Sequence, residues 1–218
     1  MRIDPLELRG TPELVRPCFS RPVGIASAVA FTKYESLAIL EARQWSGERA
    51  RERFMEKFAA GRAAARNALR DLGVPPGDVP VGPSMVPVWP PGIVGSITHI
   101  TGFAMAVVGS ENDYLGLGVD AEWEVRTIEE RVAQRMFTED ELSIEAPRLA
   151  LFCAKEAAFK AMHGVDPPPR TIAGVRLTPT LEHDLLEAEL AGQAQNPETS
   201  VRWLTGEGLM LALAERLA

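Results

Sequence analysis

Hydrophobic and polar residues alternate along this chain with two different periods, which predict a mixture of strands and helices. Short apolar runs bounded by Gly, Pro or charged residues are typical of strands. Seven such runs lie at residues 24–31, 93–98, 102–108, 115–123, 171–177, 185–190 and 208–214. Apolar positions at helical spacing predict two long helices, over 49–70 and 147–163, each followed by a glycine. Thr138 and Glu141 form a capping-box pattern that predicts a short helix before the second.

The predicted strands fall into two groups, each of which surrounds helical segments, and this order predicts an α+β fold. Residues 102–108 and 208–214 resemble each other in pattern and lie about half the chain apart. We therefore expect a duplicated α+β unit, with an N-terminal half over 1–112 and a C-terminal half over 113–218. The proline-rich stretch 74–91 is expected to be extended loop, because proline excludes helix there.

Composition is that of a protein able to bury a substantial core: of 218 residues, 46% are hydrophobic and 24% charged. The apolar runs are strand-sized, and residues 1–21 lack the apolar stretch of an export signal. We therefore expect a cytoplasmic protein without a membrane span. Cys18 and Cys153 make neither a disulfide framework nor a zinc site. The net charge of −7 argues against broad nucleic-acid binding, which needs a basic face.

One segment has the opposite charge. Residues 49–70 hold seven basic and two acidic side chains, a local charge of +5. Most charge runs of this kind are solvated helix faces. Arg62 and Arg66 stand four residues apart and share a face, so the same helix is also a candidate wall for an anion.

Two short motifs carry the candidate chemistry. In residues 118–122, Asp120 and Glu122 stand at i and i+2, which directs both carboxylates from one face of a strand. Glu156 and Lys160 stand at i and i+4, on one face of a helix, where an ordinary solvated pair is the simpler reading. If the helix packs against the end of the strand, three carboxylates and a cation converge. Such a set suits a hard cation and a phosphate.

Lysine and histidine are scarce, so their positions are informative. The chain has four lysines against nineteen arginines, and two of the four, Lys155 and Lys160, lie in the second motif. Lysine offers a compact charge that can meet a single phosphate oxygen. His99 lies at a predicted turn between strands, among small residues that allow a phosphate to approach. His163 and His183 are read as ordinary loop or capping residues.

Four ordered blocks carry a family resemblance. They are Phe58-x-x-Gly61-Arg62-x-x-x-Arg66, Trp89-Pro90-Pro91-Gly92 leading to Ser96-x-Thr98-His99, Gly118-Val119-Asp120-x-Glu122, and Phe152-x-x-Lys155-Glu156-Ala157-x-x-Lys160. In order and spacing the chain resembles the 4′-phosphopantetheinyl transferases of the larger, Sfp-like and EntD-like group. Thr98 replaces a common serine and keeps its hydroxyl. Val86 stands where relatives often carry a charge near the adenine, so the sequence leaves the adenine contacts of this loop open.

The resemblance implies transfer of the 4′-phosphopantetheine arm of coenzyme A to a serine of an apo acyl or peptidyl carrier protein, releasing 3′,5′-ADP. It implies a sandwich-like pseudo-dimer of two similar α/β halves, with the cofactor in the cleft, working as a monomer. Mg²⁺, or Mn²⁺ in its place, would be held by Asp120, Glu122 and Glu156. Glu156 and Lys160 would be catalytic, with Glu156 or a water on the metal as the base. The residues implied to bind the cofactor are Arg49, Arg53, Arg62, Thr98, His99, Lys155 and Lys160.

A partner surface and a rival function stay open at this point. Residues 125–137 carry apolar side chains at roughly helical spacing among arginines, which predicts either a core-facing amphipathic helix or a docking surface for an acidic carrier. The sequence does not identify the carrier, its pathway or the tolerance for acyl-CoA. The rival is a non-catalytic CoA- or nucleotide-binding protein. Three carboxylates facing a polyanion argue against it, because a mere binder has no need of them without a metal between.

Overall fold

The computed structural model describes residues 10–28, 47–82, 85–192 and 198–218, without the side chains of residues 49, 50 and 53. The α-helices in these ranges are α1 (Thr11–Val15), α2 (Glu48–Asp71), α3 (Glu130–Met136), α4 (Glu139–Leu142) and α5 (Arg148–Ala161). The strands are β1 (Gly24–Ala28), β2 (Ile93–Ile100), β3 (Phe103–Ser110), β4 (Tyr114–Trp123), β5 (Val175–Pro179), β6 (Leu185–Leu190), β7 (Thr199–Gly206) and β8 (Leu209–Leu217). None of the described helices has both the length and the apolar character needed to span a membrane.

The strands form two antiparallel sheets, one of three strands in the order β1-β3-β2 and one of five in the order β4-β8-β7-β6-β5. The predicted α+β fold class is therefore confirmed. Each sheet has one long helix against it, α2 on the first and α5 on the second, which is consistent with a pseudo-dimer of α/β halves. The division at residue 112 stays a prediction, supported by the change of sheet between Ser110 and Tyr114.

A glycine in each half lets the long helix approach the backbone of a strand. A Cβ added at Gly24 of β1 would lie 2.1 Å from the Ala68 carbonyl oxygen of α2. A Cβ added at Gly118 of β4 would lie 1.9 Å from the Ala157 carbonyl oxygen of α5. Both distances are impossible for a real side chain, so these positions require glycine for close packing. The same device in both halves is physical support for an internal duplication.

Two hydroxyl groups of β2 join the first sheet to the second. Ser96 Oγ accepts a hydrogen bond from the Val119 N–H at 3.1 Å, and Thr98 Oγ1 accepts one from the Ala121 N–H at 3.3 Å. All four residues are buried. A buried N–H without a partner is costly, so these hydroxyls satisfy the edge of β4 where the two halves meet.

Most predicted elements occur, but α1 was not predicted, and His99 lies within β2 instead of at a turn between strands. Four further differences follow. Strand β7 was not predicted, because its inward Val201 and Trp203 alternate with polar residues instead of forming an apolar run. The strand predicted over 171–177 begins only at Val175, after a 3₁₀ turn at Ile172–Gly174. Pro147 caps α5 instead of lying in its first turn. The helix expected over 125–137 covers only Glu130–Met136, since a turn first closes from the Arg126 N–H to the Trp123 carbonyl. Residues 29–31 of the first predicted strand lie outside the described ranges.

Candidate active site

The close packing of α5 on β4 brings the two sequence motifs together. Lys160 Nζ lies 2.7 Å from Asp120 Oδ1 and donates a second hydrogen bond to the Val119 carbonyl at 2.9 Å. Thr98 Oγ1 donates to the same oxygen of Asp120 at 3.2 Å. Asp120 is 8% exposed, so this carboxylate is held at the edge of the interior by a cation and a hydroxyl. The predicted meeting of strand and helix is therefore observed.

All three predicted acidic residues line one cavity of about 420 Å³. The residues around it are Ile97, Thr98, His99, Asp120, Glu122, Arg126, Phe152, Glu156 and Lys160. Glu122 pairs with Arg126, whose guanidinium carbon lies 4.8 Å from the centre of the Phe152 ring. The acidic wall of the cavity thus faces two cations, Lys160 and Arg126.

The charges in this cavity act on Glu156. Burial raises the pKa of the Glu156 carboxyl, and the neighbouring Asp120 raises it further, against the opposing effect of Lys160 and Arg126. Burial and Asp120 also raise the pKa of the Cys153 thiol, which keeps that thiol neutral. Glu156 is therefore a carboxylate whose affinity for a proton or a cation is increased.

The donor chemistry fits a hard divalent cation, because three carboxylates face one cavity and the repulsion between Asp120 and Glu156 would be relieved by positive charge. In the arrangement seen here, however, no group of three Asp, Glu, His or Cys side chains among the described residues is gathered around a single metal position. Asp120 and Glu122 bond to Lys160 and Arg126 instead. Metal binding would require these carboxylates to exchange a cationic partner for the ion.

A second cavity of about 430 Å³ adjoins the first and has a different lining. Arg62, His99 and Lys160 contribute polar groups, and the apolar contributors include Phe54, Phe58, Met85, Val86, Pro87 and Phe159. The guanidinium carbon of Arg62 lies 4.6 Å from the centre of the Phe58 ring. His99 and Lys160 line both cavities, so the two form one cleft with an acidic side and a basic, aromatic side.

Three cations act electrostatically on His99, and two of them, Arg62 and Lys160, line this cleft. Desolvation lowers the pKa of the His99 imidazole, and Lys160, Lys57 and Arg62 lower it further. A group of cations that repel a further proton is a favourable environment for a polyanion. A larger cavity of about 590 Å³ lies on the five-stranded sheet, but it is lined by glutamates, which would repel phosphates.

Comparison with known proteins decides the family. Residues 44–109 match the family model for the 4′-phosphopantetheinyl transferase N-terminal domain, and residues 116–203 match that of the 4′-phosphopantetheinyl transferase superfamily. The chain belongs to the 4′-phosphopantetheinyl transferase superfamily. The family resemblance and the enzyme class predicted from the sequence are thereby confirmed.

Three relatives illustrate this membership. The chain is 34% identical over 148 residues to the 4′-phosphopantetheinyl transferase Npt of Nocardia iowensis, covering 64% of this chain and 66% of the relative. It is 32% identical over 181 residues to the 4′-phosphopantetheinyl transferase Svp of Streptomyces mobaraensis, covering 72% and 70%. Enterobactin synthase component D of Salmonella typhi is 32% identical over 111 residues, covering 47% of this chain and 45% of the relative.

Lys155 was predicted to bind the cofactor of this phosphopantetheinyl transferase, but the structure places its side chain outside the cleft. Its side chain is fully buried, and Nζ lies 2.8 Å from Glu141 Oε1 and 2.7 Å from the Val175 carbonyl oxygen. The ring centre of Phe137 is 5.5 Å from the same nitrogen. Burial lowers the pKa of Lys155, and the bond to Glu141 opposes this shift. The residue ties α5 to α4 and β5, which corrects its assignment to the cofactor.

The remaining predicted residues divide into two groups. Arg62, Thr98, His99 and Lys160 line the cleft, while the side chains of Arg49 and Arg53 lie outside the described residues. Sequence reasoning missed two other contributors. Arg126 was considered only as part of a docking surface, although its spacing of four residues from Glu122 could have indicated a pair. His163 also lines the basic cavity, and its place one helical turn beyond Phe159 was the available signal.

Proposed function

We propose that this protein transfers the 4′-phosphopantetheine group of coenzyme A to a serine of an apo acyl or peptidyl carrier protein, in a Mg²⁺-dependent reaction that releases 3′,5′-ADP. One observation carries the proposal: Lys160, paired with Asp120, stands at the border between a cavity with three carboxylates and a cavity with basic and aromatic residues. A pyrophosphate at this border would meet cations on one side and metal-binding groups on the other.

The basic cavity suits the phosphate-rich end of coenzyme A. Arg62 and Lys160 supply charged donors, and charge-assisted hydrogen bonds to phosphate are among the strong ones in proteins. His99 lines the same cavity and can donate from its ring to a phosphate oxygen. The aromatic residues Phe54, Phe58 and Phe159 offer flat apolar surfaces to the uncharged parts of the ligand.

The carboxylates Asp120, Glu122 and Glu156 would hold Mg²⁺, or Mn²⁺ in its place. When bound, the ion supplies positive charge that neutralises the pyrophosphate and stabilises the charge developing on the leaving phosphate. Lys160 acts on the same phosphates as a cation, and its hydrogen bond to the Val119 carbonyl would keep its amine at the cleft when Asp120 binds the ion.

The transfer itself needs a proton acceptor. A serine oxygen bonds to the phosphorus that carries pantetheine, the bond from this phosphorus to the ADP oxygen breaks, and the serine proton moves to a base. Glu156 is the proposed base, since its pKa is raised by burial and by Asp120, which increases its affinity for a proton. The remaining contribution is positioning, which dominates phosphoryl transfer.

The carrier is expected to meet the protein through charge. The apolar residues over 125–137 mostly favour the core-facing alternative, because Phe137 is buried and Ile128 and Met136 pack against the same core, while Val125 stays exposed. Arg135 remains exposed on α3 and has no ion-pair partner among the described residues. An exposed arginine on the helix that follows the Asp120–Glu122 motif in the chain complements an acidic carrier. Both walls of the cleft belong to one chain, so we propose that the protein works as a monomer.

Mass spectrometry tests the function directly. An apo carrier protein incubated with coenzyme A, Mg²⁺ and this protein should gain the mass of one phosphopantetheine on a serine, while 3′,5′-ADP accumulates. A reaction without Mg²⁺ and a carrier with that serine changed to alanine are the controls. Tight binding of coenzyme A without transfer to any of several carriers would favour the non-catalytic CoA- or nucleotide-binding alternative.

A further inference from the structure

The hydroxyl of Thr98 is fully engaged within the protein. Oγ1 donates to Asp120 Oδ1 at 3.2 Å and accepts from the Ala121 N–H at 3.3 Å. Thr98 is 4% exposed, although it belongs to the lining of the acidic cavity. A hydroxyl has a single proton to donate, and here that proton is directed at Asp120. It is therefore not available to a phosphate of coenzyme A.

We propose that Thr98 is a positioning residue for Asp120, which it holds in the orientation that faces the metal-binding cavity; this inference rests on the function proposed above. Lys160 and Thr98 both donate to Oδ1 of Asp120. These two donors come from different elements, and together they fix the rotation of the carboxylate. Groups that hydrogen-bond a ligating carboxylate fix its rotation and tune its affinity for the ion. Thr98 is such a group and does not itself contact the cofactor.

The position of Thr98 also connects the two halves of the molecule. It lies on β2 of the first sheet, whereas Asp120 lies on β4 of the second. Neighbouring residues of a strand point to opposite faces. A Cβ added at Gly61 of α2 would lie 3.6 Å from His99 Cδ2, so His99 faces the basic helix while Thr98 faces β4. One strand thus presents a phosphate-facing group and a carboxylate-holding group side by side.

Ser96 provides a matched control two residues earlier. It is equally buried at 4% exposure, and its hydroxyl accepts the Val119 N–H at the same junction between the sheets. Ser96 has no hydrogen bond to Asp120, unlike Thr98. Removing the Ser96 hydroxyl therefore costs a junction hydrogen bond without releasing the carboxylate.

The experiment compares Thr98→Val, Thr98→Ser and Ser96→Ala in the full-length protein. Direct Mn²⁺ binding, measured by electron paramagnetic resonance with coenzyme A present, should weaken about 10-fold in Thr98→Val and recover in Thr98→Ser. Affinity for coenzyme A without metal should stay at the wild-type value in both Thr98 variants. Ser96 lines the basic cavity, so the Mn²⁺ titrations of all three variants are run at a coenzyme A concentration that saturates each of them. Thermal unfolding should show a similar loss in Thr98→Val and Ser96→Ala, with normal Mn²⁺ affinity in the latter. Thr98→Ala replaces Thr98→Val if the valine variant does not fold.

Three results would overturn the proposal. Unchanged Mn²⁺ affinity in Thr98→Val would remove the positioning role, and weaker metal-free binding of coenzyme A would make Thr98 a ligand contact instead. An equal loss of Mn²⁺ affinity in Ser96→Ala would show that the loss in Thr98→Val comes from a less stable junction between the sheets. Failure of the proposed function is a separate outcome: the wild-type protein would then modify no carrier, while the dependence of Mn²⁺ binding on the Thr98 hydroxyl would still support its positioning role.

Discussion

Two lysines of α5 each pair with an acidic residue of another element. The two pairs have nearly the same distance and different surroundings. Lys155 Nζ lies 2.8 Å from Glu141, and Lys160 Nζ lies 2.7 Å from Asp120. The first pair has side-chain exposures of 0% and 2%, and the second 28% and 11%. The distance between nitrogen and oxygen therefore does not distinguish the two pairs. They differ in their access to the cleft.

The buried pair is saturated by the protein. Glu141 Oε1 also accepts the Leu177 N–H at 2.9 Å, and Oε2 accepts the Thr138 N–H at 2.8 Å as part of the capping box of α4. The Lys160–Asp120 pair instead borders two cavities. A buried and fully bonded pair serves folding, whereas a pair at a cavity wall can exchange partners with a ligand. The following substitutions test this contrast between the two pairs.

Asp120→Ala should have the largest effect. It removes the acid of the cleft pair and one of three proposed metal ligands, so transfer should fall by about 10³-fold or more. The protein should stay folded because Asp120 lies at the cavity edge. Carrier modification and circular dichroism measure the two expectations, with exposed Asp140→Ala as the control. Turnover near the wild-type rate would remove Asp120 from the metal site.

Glu156→Gln should lower turnover by about 10²–10⁴-fold, because the amide keeps the size of the side chain but cannot accept the serine proton. Binding of coenzyme A and of Mn²⁺ must be measured on the same variant to separate loss of the base from loss of the ion. Glu145→Gln, at an exposed position, is the matched control. A rate within about tenfold of wild type, with both ligands bound normally, would exclude Glu156 as the base.

Glu141→Ala should act on stability. It leaves the fully buried Lys155 without its carboxylate, and breaking a buried pair on one side typically costs about 3–5 kcal/mol. Urea unfolding gives the free energy of unfolding, and the fraction that remains folded should keep nearly the wild-type KM for coenzyme A. A selective rise in that KM, without a loss of stability, would return Lys155 to the cofactor site.

Lys160→Ala should lower the transfer rate by about 10²-fold through loss of charge stabilisation at the phosphates. Its defect should persist at high pH, where a general-base defect recovers as hydroxide takes over. Lys155→Met is the comparison, since it changes the other lysine of the same helix and should mainly reduce stability. If the methionine variant is folded and yet loses more activity than Lys160→Ala, the contrast between the two pairs is wrong.

Arg135→Glu should have the smallest effect, a rise of about threefold to tenfold in KM for the carrier with unchanged Kd for coenzyme A, because charges at the rim of an interface act mainly on association. Steady-state kinetics at two salt concentrations measure it. The difference from wild type should shrink at high salt. Equal KM values at low salt would exclude α3 from carrier recognition.

Local interactions explain what could be predicted from the sequence. The helix Glu48–Asp71 and the capping box at Thr138 depend on neighbours within a few residues, so periodicity and capping patterns predict them. Strand β4 is predicted from its short apolar run, although its pairing with β8 is long-range. The same holds for Asp120 with Glu122 and for Glu156 with Lys160, whose spacings place each pair on one face of its element. The motifs also indicated the protein family, because their order along the chain is a property of the sequence.

The tertiary structure decided which of these groups face the cleft. Lys155 and Lys160 stand five residues apart, so helical periodicity turns them to different faces, but only the packing of α5 against β4 and β5 decides which face is buried and which borders the cleft. Thr98 was predicted as a cofactor contact, but the neighbouring half of the molecule takes up its hydroxyl. These outcomes depend on contacts between residues far apart in the chain. No local pattern records such contacts, because burial and partner choice are set by the whole fold.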